Sequence, residues 1–334
     1  MTNRQVVIAE LPKGALTPEH FRLEETGMPV PAEGEVLMKN ILMSIDAANR
    51  AWMQGATYRA PVLAGDAMHT YAVAQVVESK SDRFKPGDIV AGESHWAEYV
   101  VKPAKALIKQ PDIGSLSHLL SAYGIAGKTA FHGLLSVGTP LPGETVLVSA
   151  AAGSVGMYVG QIAKAIGCRA VGVAGGAEKC DWVVTELGFD ACVDYRDENF
   201  FKALRKAAPD GVDVYFDNVG GKVLETALFQ MNEKGRVVCC GAVSQYDSAA
   251  PSGPRNVPGL VVVKRLRMEG FIVMDYAHND AAAVKALQNW TDSGQLKVVE
   301  DIVEGLENAP GALIGLLAGE NRGKRMVRVC PDPE

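Results

Sequence analysis

Through the first 110 residues of this 334-residue chain, apolar and polar positions alternate in short runs broken by turn chemistry. Residues 5–8, 36–43, 71–78, 89–92 and 97–101 predict strands, and Pro31-Ala-Glu-Gly34 and Lys85-Pro-Gly-Asp88 predict turns between them. That rhythm implies a compact, mainly antiparallel β unit. Past about residue 120 the period changes. Apolar runs at 145–149, 169–174, 191–194, 212–217, 237–240 and 267–273 alternate with helical segments, the signature of a parallel sheet built from right-handed βαβ units. These six runs predict one doubly wound sheet. In the first helical segment Val155, Val159, Ile162, Ala163 and Ile166 recur at helical spacing, and Gly167 stops the helix. Downstream the pattern gives a helix at 280–290, a strand at 298–303, a helix near 309–317 and a strand at 325–329. The last strand falls outside the doubly wound set and is expected to return to the N-terminal β unit. The expected division is therefore 1–120 with 295–334 as one β-rich domain, and 121–294 as an inserted α/β domain.

Composition removes whole classes of function. Apolar residues make up 48% and charged residues 22%, and the 35 glycines follow no three-residue period, so disordered and collagen-like chains are excluded. A formal charge of −6 offers nothing to nucleic acid or an anionic membrane. Neither a signal-peptide core nor a run long enough to span a bilayer occurs, and a soluble, cytoplasmic protein is expected. The six cysteines all lie beyond residue 150 without C-x-x-C spacing, which argues against structural zinc or a disulfide frame.

The segment Thr145-Val-Leu-Val-Ser-Ala-Ala-Ala-Gly-Ser-Val-Gly156 runs an apolar strand into a Gly-rich turn and then a helix. Aligned to G-x-G-x-x-G it reads Ala151-x-Gly153-x-x-Gly156; the middle glycine admits a pyrophosphate to the backbone and the last lets helix and strand pack closely. A plain turn gives the same string in isolation, but here the βαβ units that follow supply the context of a dinucleotide site. At the end of the second strand, where NAD-binding sheets carry an acid, the chain has Val173-Ala-Gly-Gly-Ala-Glu-Lys179. Small residues and Lys179 suit a 2′-phosphate and favour NADPH; Lys179 also reads as a solvated lysine at a helix start. Catalytic zinc is not expected, since no Cys precedes Cys168 and His20, His69, His95, His118 and His132 share no ligand spacing. His69, in Gly65-Asp-Ala-Met-His69, reads as a hydrogen-bonded loop or pocket-wall residue.

With these stretches assembled, the chain resembles the zinc-independent medium-chain reductases, the family of prostaglandin 13-reductases (leukotriene B4 12-hydroxydehydrogenases), 2-alkenal reductases and curcumin-type reductases. The resemblance spans nearly the whole chain. It rests on Ala150-Ala-Ala-Gly-Ser-Val-Gly156, Gly188-Phe-Asp190, Asp213-Val-Tyr-Phe-Asp-Asn-Val-Gly-Gly221, Cys240-Gly-Ala-Val-Ser-Gln-Tyr246, Leu266-Arg-Met-Glu-Gly-Phe271, Glu304-Gly-Leu-Glu-Asn308 and Asn321-Arg-Gly-Lys324. It implies an α/β fold, a Rossmann-type doubly wound sheet with a β-rich GroES-like domain, and NADPH-dependent reduction of the C=C bond of α,β-unsaturated aldehydes and ketones. It further implies that Gly153, Ser154 and Val155 cradle the pyrophosphate, Lys179 and Tyr195 hold the 2′-phosphate, and Asn218 sits beside the cofactor. Main-chain groups of Cys240, Gly241, Ala242, Ser244, Phe271, Ile272 and Val273 are implied to line the adenosine and nicotinamide, with Asn321 closing over the phosphates. Asn218 also reads as a turn residue before Gly220, and Tyr195 as a surface tyrosine.

Hydride added to Cβ drives charge onto the carbonyl oxygen, so the chemistry asks for a donor there. A phenol of pKa about 10 stays protonated at neutral pH and can donate. The family match puts this role on Tyr58 and Tyr246, which otherwise read as loop aromatics; the proton at Cα comes from a tyrosine or from water. Two stretches depart from the family pattern. Asp46-Ala-Ala-Asn-Arg-Ala-Trp-Met53 lacks the usual proline and methionine, and Asp66-Ala-Met-His-Thr70 replaces a glycine-rich run with larger side chains near the expected pocket. Quinone reduction on the same fold, and NADPH binding without catalysis, stand as alternatives. The last sheet strands, read as long and apolar, together with the resemblance imply a homodimer.

Overall fold

The computed structural model describes residues 2–55, 57–110, 114–247 and 253–333. The chain divides into two compact units, the first Met1–Leu120 with Glu300–Glu320 and Arg325–Glu334, the second Ser121–Val299 with Asn321–Lys324. The first unit opens with β1 (Thr2–Ile8) and β2 (Phe21–Gly27), an antiparallel pair. There follow β3 (Glu35–Ser44), β4 (His69–Ser79), β5 (Ile89–His95), β6 (Tyr99–Pro103) and β7 (Leu107–Lys109). The alternation in these segments sorts side chains to two faces: Val36, Met38, Ala74, Val76 and Val90 are buried together as one apolar cluster, while their neighbours Val73 and Ala91 are buried in a second.

In the second unit, β8 (Thr145–Ser149), β9 (Arg169–Ala174), β10 (Ala191–Asp194), β11 (Val212–Asp217), β12 (Met231–Cys239) and β13 (Arg267–Gly270) form a parallel sheet in the order β10-β9-β8-β11-β12-β13. That is a doubly wound order, and it reverses direction between β8 and β11. Gly-Phe-Asp at 188–190 is a packing device. Gly188 ends the helix Ala177–Leu187 at φ +72°, and Phe189 then lies over Gly160, where an added Cβ would sit 1.8 Å from the ring. Asp190 accepts the Ala170 amide and the Lys164 ammonium, each at 2.8 Å.

Finally β14 (Glu300–Glu304) and β15 (Lys324–Arg328) join the seven-strand sheet of the first unit, with β15 antiparallel to β3. Three expectations are corrected. Residues 295–299 and 321–324 belong to the second unit, because Gly323 donates to Ala152 O at 2.9 Å and Lys324 to Val299 O at 3.0 Å. The β13 strand ends at Gly270, so Phe271 and Ile272 lie beyond it and Val273 opens a 3-10 turn, Val273–Asn279. This edge is short and polar rather than long and apolar, and the exposed apolar surface lies instead on the helix Val257–Lys264, where Val262 is 73% and Val263 69% exposed.

Candidate functional site

In open parallel sheets ligands bind beyond the carboxyl ends of the strands where the order reverses, here at β8 and β11. Ser149 and Asp217 close those two strands. Asn218 bridges them: its side-chain amide donates to Ser149 O at 2.8 Å, and its backbone N–H to Ser149 Oγ at 2.9 Å. The buried Asp217 carboxylate accepts the Tyr215 hydroxyl at 2.7 Å and the N–H groups of Val219 and Gly220 at 3.0 and 2.9 Å. Burial raises its pKa, and these donors oppose the rise. Asp217 thus sets the turn that follows, and sequence reasoning quoted it within a motif without giving it a role.

That turn is locked to the next one. Gly220 and Gly221 sit at φ +69° and +54°, and an added Cβ at Gly221 would meet Ser244 Oγ at 2.8 Å. Ser244 donates through its hydroxyl to Val219 O at 2.6 Å, and Cys240 and Gly241 donate their N–H groups to Asp217 O at 2.9 and 3.1 Å. Burial pushes the Cys240 thiol up to about 12 and the Cys239 thiol up to about 11, so neither supplies a thiolate nucleophile at neutral pH. Ala242 donates its N–H to the Tyr246 hydroxyl at 3.2 Å, which holds the phenol over Gly241 at the end of β12. The Phe271 ring packs with Phe216 over Gly133, where an added Cβ would lie 2.5 Å from it.

Gly153, Ser154 and Val155 form the last turn before the helix Gly156–Ala165. Ala150 adopts φ +51°, and its carbonyl stands 2.2 Å from where a Cβ on Gly156 would be, which leaves glycine as the fitting residue. At Gly153 the corresponding contact is 3.2 Å, a tight cradle whose open side a methyl would begin to fill. The segment Asn321–Lys324 docks against this turn through the Gly153–Gly323 bridge.

At the end of β9, Lys179 Nζ donates to Asn321 O at 2.7 Å, and the buried Asn321 amide donates to Gly323 O at 2.9 Å. Tyr195 and Arg196 lie over Gly175, where an added Cβ would be 3.0 Å from the Tyr195 ring and 3.3 Å from the guanidinium. Arg196 was missed because a lone arginine after a strand carries no spacing signal. Two acids flank this end: Glu178 pairs with Arg322, whose guanidinium lies 5.8 Å from the Trp182 ring, and Asp194 accepts the Arg196 backbone N–H at 2.9 Å. The structure thus gathers Gly153, Asn218, Cys240 to Ser244 and Tyr246 at the carboxyl end of the sheet, with Lys179, Tyr195 and Asn321 at the end of β9. A nucleotide with a diphosphate and a further phosphate fits these residues.

Tyr58 belongs to the first unit, where it is 53% exposed. The divergent 46–53 stretch forms the helix Ala47–Trp52, and its Asn49 amide reaches His69 O at 2.7 Å. Beside it Arg59 donates to His69 Nδ1 at 3.0 Å and lies 4.5 Å over the Trp52 ring. The His69 and His95 rings meet edge to face at 4.6 Å. Burial, with the charges of Lys102 and Arg59 and the His69 ring nearby, pushes His95 down to about 3. Unfolded His95 takes up its proton near pH 6.5, so between about pH 6.5 and 3 the unfolded chain binds one more proton and stability falls as pH falls. Comparing urea unfolding at pH 7 and pH 5, wild type should lose about 2 kcal/mol more than His95→Gln; equal losses would contradict this assignment.

Two family models match, one described as the N-terminal domain of oxidoreductase over residues 4–110 and one as zinc-binding dehydrogenase over residues 154–299. The chain is 43% identical to the NADPH-dependent curcumin reductase of Escherichia coli (strain K12), covering 99% of this chain and 98% of that protein. It is 38% identical to the NADP(+)-dependent 2-alkenal reductase of Nicotiana tabacum, covering 98% of each. The chain belongs to the family of curcumin, 2-alkenal and prostaglandin reductases. The crystal structure of CurA in complex with NADPH from Vibrio vulnificus superposes with a TM-score of 0.94 at 37% identity, covering 98% of this chain and all of that one. One model's description names zinc; among the described residues no group of three or more His, Cys, Asp or Glu side chains is placed to hold a metal.

Proposed function

We propose that this protein reduces the C=C bond of α,β-unsaturated aldehydes and ketones with NADPH. It is an NADP-dependent oxidoreductase of a family whose members are named as curcumin, 2-alkenal and pulegone reductases. The observation that carries the cofactor choice is the end of β9, where Lys179, Tyr195 and Arg196 stand at a strand that ends without an acid and Glu178 is engaged by Arg322. An NADH site would place a carboxylate there for the ribose hydroxyl. Gly153, Ser154 and Val155 are assigned to the pyrophosphate, Lys179, Tyr195 and Arg196 to the 2′-phosphate, and Asn218 and the 240–246 turn to the nicotinamide side.

When bound, the nicotinamide supplies the hydride. What the chain contributes is position and a proton donor. As Cβ accepts hydride, negative charge gathers on the carbonyl oxygen, and a hydroxyl within hydrogen-bond reach stabilises it by a few kcal/mol. Tyr246 is held for this by the Ala242 N–H, which binds its oxygen and fixes the ring. Tyr58 is the second candidate donor, on the other unit.

The test follows NADPH oxidation with an enal, an enone and a quinone. Turnover of the first two at rates well above the quinone is expected; turnover of the quinone alone, or of none, would overturn the reading. In the same assay Tyr246→Phe or Tyr58→Phe should lower kcat/KM for the enone about 10- to 100-fold with the NADPH KM unchanged, and an unaltered kcat/KM in either variant removes that tyrosine from the mechanism. The exposed apolar face of the helix Val257–Lys264 beside edge strand β13 supports a homodimer, and light scattering at the monomer mass would refute it. Six free thiols support a cytoplasmic setting.

A further inference from the structure

Cys239 pairs with Gly270 where β12 and β13 end, so Phe271 leaves the sheet beside Cys240, at the carboxyl end where the nucleotide residues gather. From there no strand holds the chain, and 271–279 runs to the helix Asp280–Asp292 through the 3-10 turn. Two consecutive residues of another element seat it. The helix Ile125–Phe131 widens into a π-helical turn, His132–Gly138, a rare geometry that recurs at functional sites. At Gly133 the missing side chain admits the Phe271 ring. At His132 the imidazole stacks on Tyr276, with centroids 5.1 Å apart and planes within 21°. The Phe271 and Tyr276 rings meet edge to face at 6.2 Å, which joins the two seats.

The His132 side chain is fully buried, and neither ring nitrogen has a hydrogen-bond partner among the described residues. The charged groups that face it are Asp280, whose carboxylate stays 3.7 Å from Nε2 and accepts the Lys128 ammonium at 2.7 Å, and His278 on the 3-10 turn. Burial lowers the His132 pKa against the pull of Asp280, so the ring is neutral at pH 7. A buried imidazole without partners costs stability, and what this one contributes is a flat face, against Tyr276 and the edge of Phe131. We propose that His132 is a positioning residue for hydride transfer: it seats Tyr276 while Gly133 seats Phe271, and so fixes the main chain of Ile272 and Val273 beside the nicotinamide. This rests on the NADPH and enone reading above and on the place that the family resemblance implies for 271–273. The two ring contacts fall on either side of 272–275, where Asp275 donates its N–H to Ile272 O at 3.0 Å, so this stretch has little freedom once both rings are held.

The experiment titrates NADPH and reads its fluorescence, which gives affinity from the curve and the environment of the nicotinamide from the bound-state spectrum; kcat with benzylideneacetone is measured alongside. His132→Leu fills the volume without a flat face, and His132→Phe keeps the face without the nitrogens. The leucine variant should bind NADPH with a Kd within about threefold of wild type, because the phosphate contacts are intact, while its bound-state emission moves towards that of free NADPH and kcat falls about tenfold. His132→Phe should restore both. Tyr276 is half-buried and gives a second route: Tyr276→Leu should show the same deficit, and the double leucine variant no more than either single. Thermal melting checks that each variant is folded at the assay temperature. Wild-type emission and kcat in the leucine variants, a phenylalanine variant that stays deficient, or deficits that multiply in the double variant overturn the proposal and leave the enone reading standing. A wild type that reduces no enone overturns that reading instead, while the emission still reports the seat.

Discussion

Gly156→Ala should lower the stability of the protein by about 3 kcal/mol and abolish the rise in melting temperature that NADPH confers. The new Cβ would stand 2.2 Å from Ala150 O, 2.8 Å from Ala150 C and 3.0 Å from Ala151 Cα, all backbone atoms that cannot rotate away. Relief requires moving the strand β8 or the helix Gly156–Ala165, and either motion undoes the turn that presents Gly153. Gly153→Ala separates the two roles. Its Cβ would meet Ala150 O at 3.2 Å, so the free protein should keep most of its stability while the methyl intrudes where the pyrophosphate is assigned. Thermal melting with and without NADPH checks both variants. A Gly156→Ala protein that melts like wild type and still gains stability from NADPH would contradict the assignment of this turn.

Lys179→Met is expected to raise the KM for NADPH about 10- to 100-fold with kcat within a few-fold of wild type, the loss of one charge-assisted contact to phosphate. The lysine also donates to Asn321 O at 2.7 Å, which ties the Asn321–Lys324 segment to the helix Ala177–Leu187. The two roles are distinguishable by cofactor. If the ammonium reads the 2′-phosphate, the substitution erodes the preference for NADPH over NADH. If it only tethers the segment, both cofactors weaken together and the preference survives. Steady-state kinetics with each cofactor settles which holds, and an unchanged NADPH-to-NADH preference would refute the phosphate role.

Legibility in the sequence followed how local each signal was. The sheet of the second unit could be read almost residue by residue, because a strand buried on both faces must be a continuous apolar run, and 145–149, 169–174, 191–194 and 212–217 form as expected. The start of β12 could not. Met231-Asn-Glu-Lys-Gly235 is largely polar, and Lys234 has φ +62°, so nothing there resembles a buried strand although pairing with β11 begins at Met231. Similarly β2 carries charged residues at three of seven positions and is held by its partner β1, a tertiary cause that periodicity does not report. In the site, glycines at fixed spacing announced the 153–156 turn. Arg59, His69, His95 and Lys102 are gathered from a loop and three strands, and no local pattern could connect them.

The central claim is transfer of a hydride from NADPH to the β-carbon of an enone. Its most direct test is a turnover of benzylideneacetone with NADPH deuterated at the transferable position, followed by NMR of the product. Deuterium at the former β-carbon of a saturated ketone is the predicted result. Deuterium on a carbinol carbon, with the C=C bond intact, would contradict it.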